Sequence, residues 1–428
     1  MPGRIDLRPA DVLIVPATLM PVIAVYGTLR LSILYAISAA AIAALLLYRK
    51  SFPLLPSIPV LISFGILIGW AGLSSFWAYD PNHSLERLVK LVWIVLGVPL
   101  LFTAAKTTCE ARRRRLTILL AIGWSIAAAF LILEVVFDGG FLLQTIRGPW
   151  LHDVAALKAL KRGGTILLIL SWVVALGLLN LRYRFAAIVI LLLPGFFLNL
   201  IDANAALVGW LTALLVGILV WLLPKTIALW GAFAVLFVLL ATPFATSKIP
   251  TDLTRLTDRI SSPGIHRMAM WKFTTDRIFE RPLMGWGLEN SRAIPGGREI
   301  VPIADWIRSN PSTLSQHPNL PKLLEDNPPE YLPLHPHNII LQIWLELGFV
   351  GVVLAGSAVA VVLLIVEKRS GPKHQYVMSL AMSSAWAAIA CLSFGAWQTW
   401  WLSAVILAAL LLVALLEPRA SDLTRNSQ

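Results

Sequence analysis

One histidine stands where a polar stretch gives way to a long apolar run, at His337-Asn338. An imidazole with an unperturbed pKa of about 6.5 can accept a proton at ambient pH, which makes His337 a candidate general base. Asn338, Gln342 and Glu346 follow at intervals of four residues, so a helix would carry them on one stripe. Glu346 would lie about 12 Å below Asn338, inside the bilayer if the run spans a membrane. An interfacial histidine that ends a loop is the alternative interpretation.

A second candidate group belongs to a predicted helix over Ile265–Arg281, with Ser262 as its N-cap. Arg267 and Trp271 are four residues apart and therefore share a face. Arginine makes planar, bidentate contacts with phosphate oxygens, so Arg267 is a candidate ligand for an anion. We expect this helix to lie on the membrane surface, with apolar side chains such as Ile278 in the interface.

A predicted short loop, Asp138–Gly163, is unusually basic for a loop that is expected on the outer side of the membrane. It contains Arg147, Lys158, Lys161 and Arg162 against two aspartates. A basic outer loop opposes the usual charge bias of membrane proteins, and an anionic substrate would account for it. Contact of these side chains with lipid headgroups would account for it too.

The histidines of this region are poor evidence for a metal site. His335 and His337 flank a proline, and neither an Asp-x-Asp pair, a His-x-x-x-His pair nor a cysteine accompanies them. We therefore predict no bound metal and no cofactor.

The composition indicates an all-α integral membrane protein. Of 428 residues, 58% are hydrophobic and 14% are charged, against about 25% charged residues in soluble proteins. Apolar runs of about 18–20 residues recur, enough to cross a hydrocarbon core of about 30 Å. The formal charge of +12 is explained by Lys and Arg in the connections between spans, where membrane proteins ordinarily carry them. We therefore expect no nucleic-acid partner. Twelve spans are predicted, at 11–28, 31–48, 58–76, 88–105, 116–136, 164–181, 185–201, 205–223, 226–243, 338–366, 375–395 and 400–416.

The basic residues also predict the orientation. One set of connections carries most of them, including Arg49-Lys50, Arg112–Arg115 and Arg182–Arg184, which predicts that both termini are cytoplasmic. A large loop, Phe244–Pro336, would then face outward. This large loop holds 11 basic and 10 acidic residues, so it is nearly neutral. The chain thus divides into helices over 1–243, the large loop over 244–336, and the last helices with a short tail over 337–428.

Three motifs on this topology resemble the O-antigen ligase family, also described as lipid A-core:surface polymer ligases, within a superfamily that includes O-antigen polymerases. The run that begins at His337 is the most specific of the three. The motifs are Arg267-x-x-x-Trp271, Pro282-Leu-Met-Gly-Trp-Gly287 and His337-Asn338-x-x-Leu341-Gln342-x-x-x-Glu346-Leu-Gly348.

The resemblance implies a GT-C-like glycosyltransferase architecture in the inner membrane of a Gram-negative bacterium. It implies transfer of O-polysaccharide from undecaprenyl diphosphate to a sugar hydroxyl of lipid A-core, with inversion and without a metal. His337 takes the catalytic role and Arg267 binds the donor diphosphate. Charge alone adds three further candidates for binding the diphosphate, which are Arg147, Lys161 and Arg162. The motifs add four supporting residues, which are Trp271, Asn338, Gln342 and Glu346.

Alternatives within and outside the superfamily remain. Polymerases often carry Arg-x10-Gly motifs in outer loops, but here that spacing falls at Arg112–Gly123 and Arg184–Gly195, on the predicted cytoplasmic side. Protein O-oligosaccharyltransferases usually continue further beyond the last span, which we do not expect here. A transporter of lipid-linked glycan would need broken spans in matching halves, and the sequence shows no such symmetry.

Overall fold

The computed structural model describes residues 7–147, 153–223, 227–316, 318–326, 328–369 and 371–416. These residues form α-helices and short 3-10 turns, and the described part of the chain contains one isolated β-bridge, between Ile300 and Glu330, and no strand. The all-α fold predicted from composition is confirmed.

Eleven of the described helices precede the large loop or run into it, and the other seven lie within it or follow it. The first group comprises α1 (Pro9–Val12), α2 (Ile14–Gly27), α3 (Leu31–Tyr48), α4 (Ile58–Leu73), α5 (Pro81–Lys106), α6 (Glu110–Val136), α7 (Leu143–Arg147), α8 (Asp153–Asn180), α9 (Arg184–Leu200), α10 (Asn204–Leu222) and α11 (Ile227–Thr246). The second comprises α12 (Ser262–Glu280), α13 (Ile303–Arg308), α14 (Pro311–Gln316), α15 (Leu320–Asp326), α16 (Ile339–Arg369), α17 (Lys373–Ala390) and α18 (Thr399–Leu415).

Each of the twelve predicted spans overlaps one of these helices. Eight helical segments of the described chain are long and apolar enough to cross a membrane, and one of them, Pro9–Tyr48, contains α1, α2 and α3. The helices α9 and α18 are apolar but only 17 residues long. The membrane-helical class is therefore shown, while the number of twelve crossings stays a prediction.

Helix α8 occupies the centre of the bundle. It contacts α2, α6, α9, α17 and α18, and its side chains from Ile166 to Leu176 are almost completely buried. Glycines let α2 approach closely, since a Cβ at Gly163 would lie 2.7 Å from the carbonyl oxygen of Ala24.

The start of α8 corrects the predicted loop Asp138–Gly163. Helix α7 lies within that range, and α8 already begins at Asp153. Lys161 and Arg162 therefore lie on the helix that continues into the bundle, so their spacing and direction are set by helical geometry.

A second core joins the large loop to the membrane helices. It is formed by α4, α11, α12 and α16 together with the segment around Trp286. Ile278 of α12 is completely buried in this cluster, so the expectation that it enters the membrane interface is wrong. The apolar face of α12 packs against protein, because α11 and α16 cover it. The helix begins slightly earlier than predicted, with Ser261 at the N-cap position.

The large loop also has a small core of its own. Apolar side chains from α12, α13 and the segments beside them pack together there; they are Leu253, Ile265, Ala269, Val301, Ile303 and Ile307. The loop is therefore a folded cap on the bundle and α12 is its principal element.

The cap is fixed to α16 at a break in that helix. Gly348 has φ 65° and ψ −168°, a conformation open essentially to glycine alone. The segment Pro282–Gly287 lies in the break, where two of its amides donate to the carbonyls of Leu345 and Glu346, each at 2.8 Å. Beyond the break, the amide of Phe349 donates to the carbonyl of Pro282 at 2.8 Å. The segment thus replaces hydrogen bonds that the interrupted helix lacks.

Substitution of Gly348 by alanine should release this contact. A Cβ at Gly348 would lie 2.3 Å from the carbonyl oxygen of Leu283, and the strained backbone alone costs about 1–3 kcal/mol. We expect Gly348→Ala to lower the melting temperature of the detergent-purified protein by several degrees, measured by fluorescence-detected size-exclusion chromatography after heating. Gly69→Ala in α4 is the matched control, since no atom lies within 4 Å of its added methyl group. Equal melting of both variants would contradict the role of the break.

Candidate active site

His337 lies on the turn that leads into α16. Its φ of 50° is in the left-handed region, which a non-glycine residue occupies only when its surroundings hold it there. One such restraint is local, because the backbone N–H of His337 donates to Nδ1 of His335 at 3.1 Å. The two imidazole rings also contact each other, with centroids 4.5 Å apart.

The second restraint on His337 determines its tautomer. Nδ1 lies against the backbone carbonyl oxygen of Ser393, and a carbonyl oxygen can only accept a hydrogen bond. Nδ1 therefore carries the proton, and Nε2 of the neutral ring carries the lone pair. Among the described residues, no hydrogen bond engages Nε2, so this atom is available to accept a proton from a substrate.

His335 supports this arrangement through its own hydrogen bonds. Its Nδ1 accepts the His337 amide, so its own proton is on Nε2, 3.2 Å from the side-chain amide of Gln398. The Gln398 atom placed there is Nε2, which is also a donor; exchanging the nitrogen and oxygen of this amide lets its Oε1 accept a hydrogen bond from His335 Nε2–H. Burial, together with the neighbouring His337, lowers the pKa of His335 to about 3. The ring is therefore neutral, as the hydrogen bond to the His337 amide requires.

Helix α12 brings Arg267 to the same place. The indole Nε1–H of Trp271 donates to the carbonyl of Pro336 at 2.9 Å, which fastens α12 to the histidine turn. Arg267 is one helical turn before Trp271 and is half-buried. Its guanidinium makes no hydrogen bond or ion pair with any described residue. A cation in this position, without a carboxylate, is suited to an anionic ligand.

The electrostatics of the turn keep His337 neutral. Burial lowers its pKa, the hydrogen bond to Ser393 opposes that shift, and the positive charge of Arg267, followed by the neighbouring His266, lowers the pKa further. Burial likewise lowers the pKa of Arg267. His337 is thus a base that stays unprotonated at neutral pH beside a guanidinium.

Glu346 holds the surrounding elements together. Its side chain is completely buried, and one oxygen accepts from the Ser291 hydroxyl and from Gln342 Nε2, the latter at 3.1 Å. The other oxygen accepts from the backbone N–H of Glu289 and from Trp397 Nε1, both at 2.6 Å. Four uncharged donors therefore satisfy the hydrogen-bonding capacity of one buried carboxylate.

The contacts of Glu346 show which segments surround its carboxyl group. Apart from Gln342 on α16 itself, its partners belong to the large loop and to the connection between α17 and α18. Arg87 links the same two segments, since it pairs with the Glu289 carboxylate at 2.6 Å and donates to the Trp397 carbonyl at 3.2 Å. The carboxylate lies among the connections between helices and is not isolated within an apolar span.

The other polar residues of the predicted stripe have structural partners as well. Asn338 Oδ1 accepts from the amides of Ile340 at 3.0 Å and Leu341 at 3.2 Å, as an N-cap does. Gln342 Oε1 accepts from the amide of Ala396 at 2.8 Å. The stripe of Asn338, Gln342 and Glu346 is confirmed, and each member orients the helix that begins beside His337.

The three basic residues chosen from charge lie apart from Arg267. The side chain of Arg147, at the end of α7, is outside the described residues, as is that of Lys158. Lys161 Nζ donates to the carbonyl of Asp202 at 2.9 Å. Arg162 lies over the ring of Trp400, 6.0 Å from its centroid, and lines a cleft of about 180 Å³.

A chain of aromatic contacts connects Arg162 with the histidine turn. The Trp400 ring beneath Arg162 packs on Phe394, with centroids 4.9 Å apart. Phe394 follows Ser393, whose carbonyl oxygen accepts the hydrogen bond from His337 Nδ1. Phe394 and Ser393 both belong to the connection between α17 and α18, so Arg162 reaches that connection through Trp400 and His337 contacts it directly.

Several parts of this site could not be read from the sequence. Ser393, Gln398 and Ser291 are remote from His337 in the chain and belong to no recognisable motif. The described residues include no group of three histidine, cysteine or acidic side chains placed to hold a metal ion.

The chain is similar in sequence to several known proteins. Residues 187–356 match the family model described as O-antigen ligase, a range that contains both Arg267 and His337. A protein of Rickettsia felis named "Putative polysaccharide ligase" is 27% identical over 82% of this chain and 80% of its own length. A protein of the same name from Rickettsia bellii is 26% identical over 82% of this chain and 79% of its own. No solved structure matches the chain significantly.

The helical membrane fold, the histidine turn and these similarities define a ligase-type enzyme of the membrane. Residues 187–356 of the chain are similar to the O-antigen ligase family, and the Rickettsia relatives carry the name of polysaccharide ligases, in agreement with the resemblance found in the motifs.

The Glu346 network yields a stability prediction. Glu346→Ala would leave four buried donors without their acceptor, at about 1–3 kcal/mol for each group left unsatisfied. We expect a large loss of folded yield and a lower melting temperature, and a smaller loss for Glu346→Gln, which keeps one oxygen. Glu280→Ala is the control, because Glu280 forms an exposed pair with Arg277 of small expected value. Similar melting of Glu346→Ala and Glu280→Ala would show that the network does not hold the site.

Proposed function

We propose that the chain transfers a polysaccharide from a polyprenyl diphosphate to a sugar hydroxyl of a lipid-anchored oligosaccharide. In the form that the family suggests, the donor is undecaprenyl-diphosphate-linked O-polysaccharide and the acceptor is lipid A-core. The observation that carries the proposal is the neutral His337 beside the guanidinium of Arg267, with neither His337 Nε2 nor that guanidinium hydrogen-bonded to any of the described residues. A base and an anion-stabilising group are the two functions that this reaction requires.

The reaction proceeds by one displacement. The acceptor hydroxyl oxygen attacks the anomeric carbon of the donor, and His337 Nε2 takes the hydroxyl proton. The bond between the anomeric carbon and the diphosphate oxygen breaks, and its electron pair stays on the departing diphosphate. Arg267 stabilises that charge. In-line attack inverts the anomeric centre, and the imidazolium returns its proton to the diphosphate or to water.

Arginine takes the place of a metal ion in this proposal. A departing diphosphate needs positive charge, which enzymes supply through a divalent metal or through Lys and Arg. Arg267 is already desolvated in the site and has no competing carboxylate among the described residues. Lys161 and Arg162, with Arg147, are proposed to attract the diphosphate headgroup along the neighbouring face of the bundle.

The proposed location is the inner membrane of a Gram-negative bacterium, with the large loop in the periplasm and both termini in the cytoplasm. The distribution of Lys and Arg along the chain supports this orientation. The cap and the histidine turn would then lie on the face where lipid-linked donor and lipid-anchored acceptor both arrive.

A polymerase of the same superfamily would use the same base and the same arginine and would differ in its acceptor. The names of the relatives favour a ligase. One arginine of the polymerase-like spacing, Arg112, is paired with Asp11 at 2.7 Å, so it is engaged within the protein. Transfer to lipid A-core, measured against extension of a second lipid-linked chain, separates the two activities.

Removal of the base or the guanidinium should abolish transfer. We expect His337→Ala to lower the rate about 10²–10⁴-fold and Arg267→Ala about 10²–10³-fold, with partial activity in Arg267→Lys. The measurement is transfer of defined lipid-linked polysaccharide to lipid A-core by the purified protein, resolved on a gel. Arg259→Ala, which removes an exposed arginine of the large loop, should keep the wild-type rate.

Two results would contradict this assignment. Transfer by His337→Ala at the wild-type rate would exclude His337 as the base, as expected of a transporter. Loss of transfer in EDTA with recovery in Mg²⁺ or Mn²⁺ would show that a metal, and not Arg267, carries the diphosphate charge.

The lowered pKa of His337 predicts the pH dependence. The neutral ring is the active form, so the rate is constant above the pKa of His337 and falls as pH decreases through it. Because burial and nearby cations place this pKa below its usual value of about 6.5, transfer at pH 6.5 should exceed half of its rate at pH 7.5. Arg267→Ala removes one cation and should move the acidic limb of kcat/KM to higher pH. An acidic limb above pH 7 in the wild type would contradict the electrostatic description.

A further inference from the structure

A second cleft, away from the histidine turn, lies between the start of α5 and the large loop. Its volume is about 600 Å³, and its lining includes Tyr79, Asp80, Arg292, Arg298 and Glu299. Sites for small ligands occupy roughly 300–1,000 Å³, so the cleft can hold a few sugar rings. We propose that it is a subsite for the oligosaccharide portion of a substrate, a proposal that rests on the function above.

Hydrogen bonds behind the cleft join its two walls. Asn290 is completely buried, and its Oδ1 accepts from the amide of Asp80 at 2.6 Å while its Nδ2 donates to Ser84 Oγ at 2.7 Å. Ser84 Oγ in turn donates to the carbonyl of Leu288 at 2.6 Å. The two walls of the cleft, from α5 and from the large loop, are therefore fastened together before any ligand binds.

The groups exposed in the cleft remain available for a ligand. Tyr79 is 60% exposed, and neither its hydroxyl nor the guanidinium of Arg298 has a hydrogen-bond partner among the described residues. Asp80 uses one carboxylate oxygen to accept from the amide of His83 at 3.1 Å. Arg292 reaches the carboxylate of Glu330 only at 3.4 Å, with nearly half of its side chain exposed.

This combination fits a sugar better than a phosphate or an acyl chain. Sugar hydroxyls both donate and accept, and the cleft offers guanidinium donors beside the carboxylate acceptors Asp80 and Glu299. Those two carboxylates would repel a ligand that is mainly phosphate, and the charged rim would reject an acyl chain. The exposed ring of Tyr79 supplies a flat surface on which the C–H face of a sugar can pack.

Hydrogen bonds connect the cleft to the catalytic helix. Arg292 follows Ser291, whose hydroxyl donates to Glu346 on α16. The same helix begins next to His337, and the amide of Glu289 also donates to Glu346. A glycan in the cleft is therefore held by a segment that hydrogen-bonds to the helix following the base, as expected for a subsite that binds sugars remote from the reacting bond.

The test uses the full chain in nanodiscs and the transfer assay with defined donor and acceptor. In Tyr79→Ala, in Arg298→Ala and in the double variant, we expect KM for one glycan substrate to rise about tenfold, or about 1.4 kcal/mol, with kcat within about twofold. Arg298→Lys should retain part of the affinity. A rise in the acceptor KM assigns the cleft to the acceptor oligosaccharide, and a rise in the donor KM assigns it to the donor polysaccharide.

Matched controls are available elsewhere in the chain. Tyr183 is 58% exposed, on the opposite side of the bundle by the predicted topology, so Tyr183→Ala controls for Tyr79→Ala. Arg259→Ala controls for Arg298→Ala, because Arg259 is an exposed arginine of the large loop outside the cleft. Both controls should leave both KM values unchanged.

A binding measurement separates this proposal from the proposed function. Soluble oligosaccharide, freed of its lipid and prepared from donor and from acceptor, is added to the His337→Ala protein and followed by saturation-transfer NMR. One of the two should bind, and binding should be lost when Tyr79 and Arg298 are also substituted. If the wild type gives no transfer while this binding persists, the proposed reaction fails and the subsite stands. Unchanged KM values and unchanged binding in the Tyr79/Arg298 double variant would overturn the subsite.

Discussion

A single buried carboxylate sets the arrangement on which the rest of the site depends. Glu346 is removed from water, so its charge must be met by protein donors, and the four donors come from α16 itself, the large loop and the connection between α17 and α18. The hydrogen bonds to this one carboxylate therefore fix three parts of the chain relative to each other. Those parts carry His337, the wall of the glycan cleft and the carbonyl that orients His337.

The spacing of residues predicted the helix that leads away from the base, and it did so for a physical reason. Polar residues every four positions in an apolar run can be satisfied only on one stripe, and Asn338, Gln342 and Glu346 do lie on one. Their partners were beyond sequence analysis, because Ala396, Trp397 and Ser291 meet the stripe only after the chain has folded.

Local sequence also predicted helix α12 but not what covers it. An amphipathic helix of this length buries its apolar face equally well in a membrane interface or in a protein core, and the pattern is the same for both. The structure provides α11 and α16 as partners, so Ile278 is buried in protein. The left-handed backbone of His337 was likewise invisible in the sequence, because it results from contacts with His335 and Ser393 and not from the residue type.

The break at Gly348 explains why the folded cap and the base act as one unit. A continuous α16 would satisfy its own backbone and leave the large loop attached only by side chains. The interrupted helix instead takes backbone hydrogen bonds from the segment Pro282–Gly287, which directly follows α12. Arg267 on α12 is thereby positioned through backbone contacts just beyond the C-terminal end of the helix and through the Trp271–Pro336 hydrogen bond in its middle. A guanidinium held in this way need not be reorganised when negative charge develops, which is the condition under which electrostatic stabilisation contributes most to catalysis.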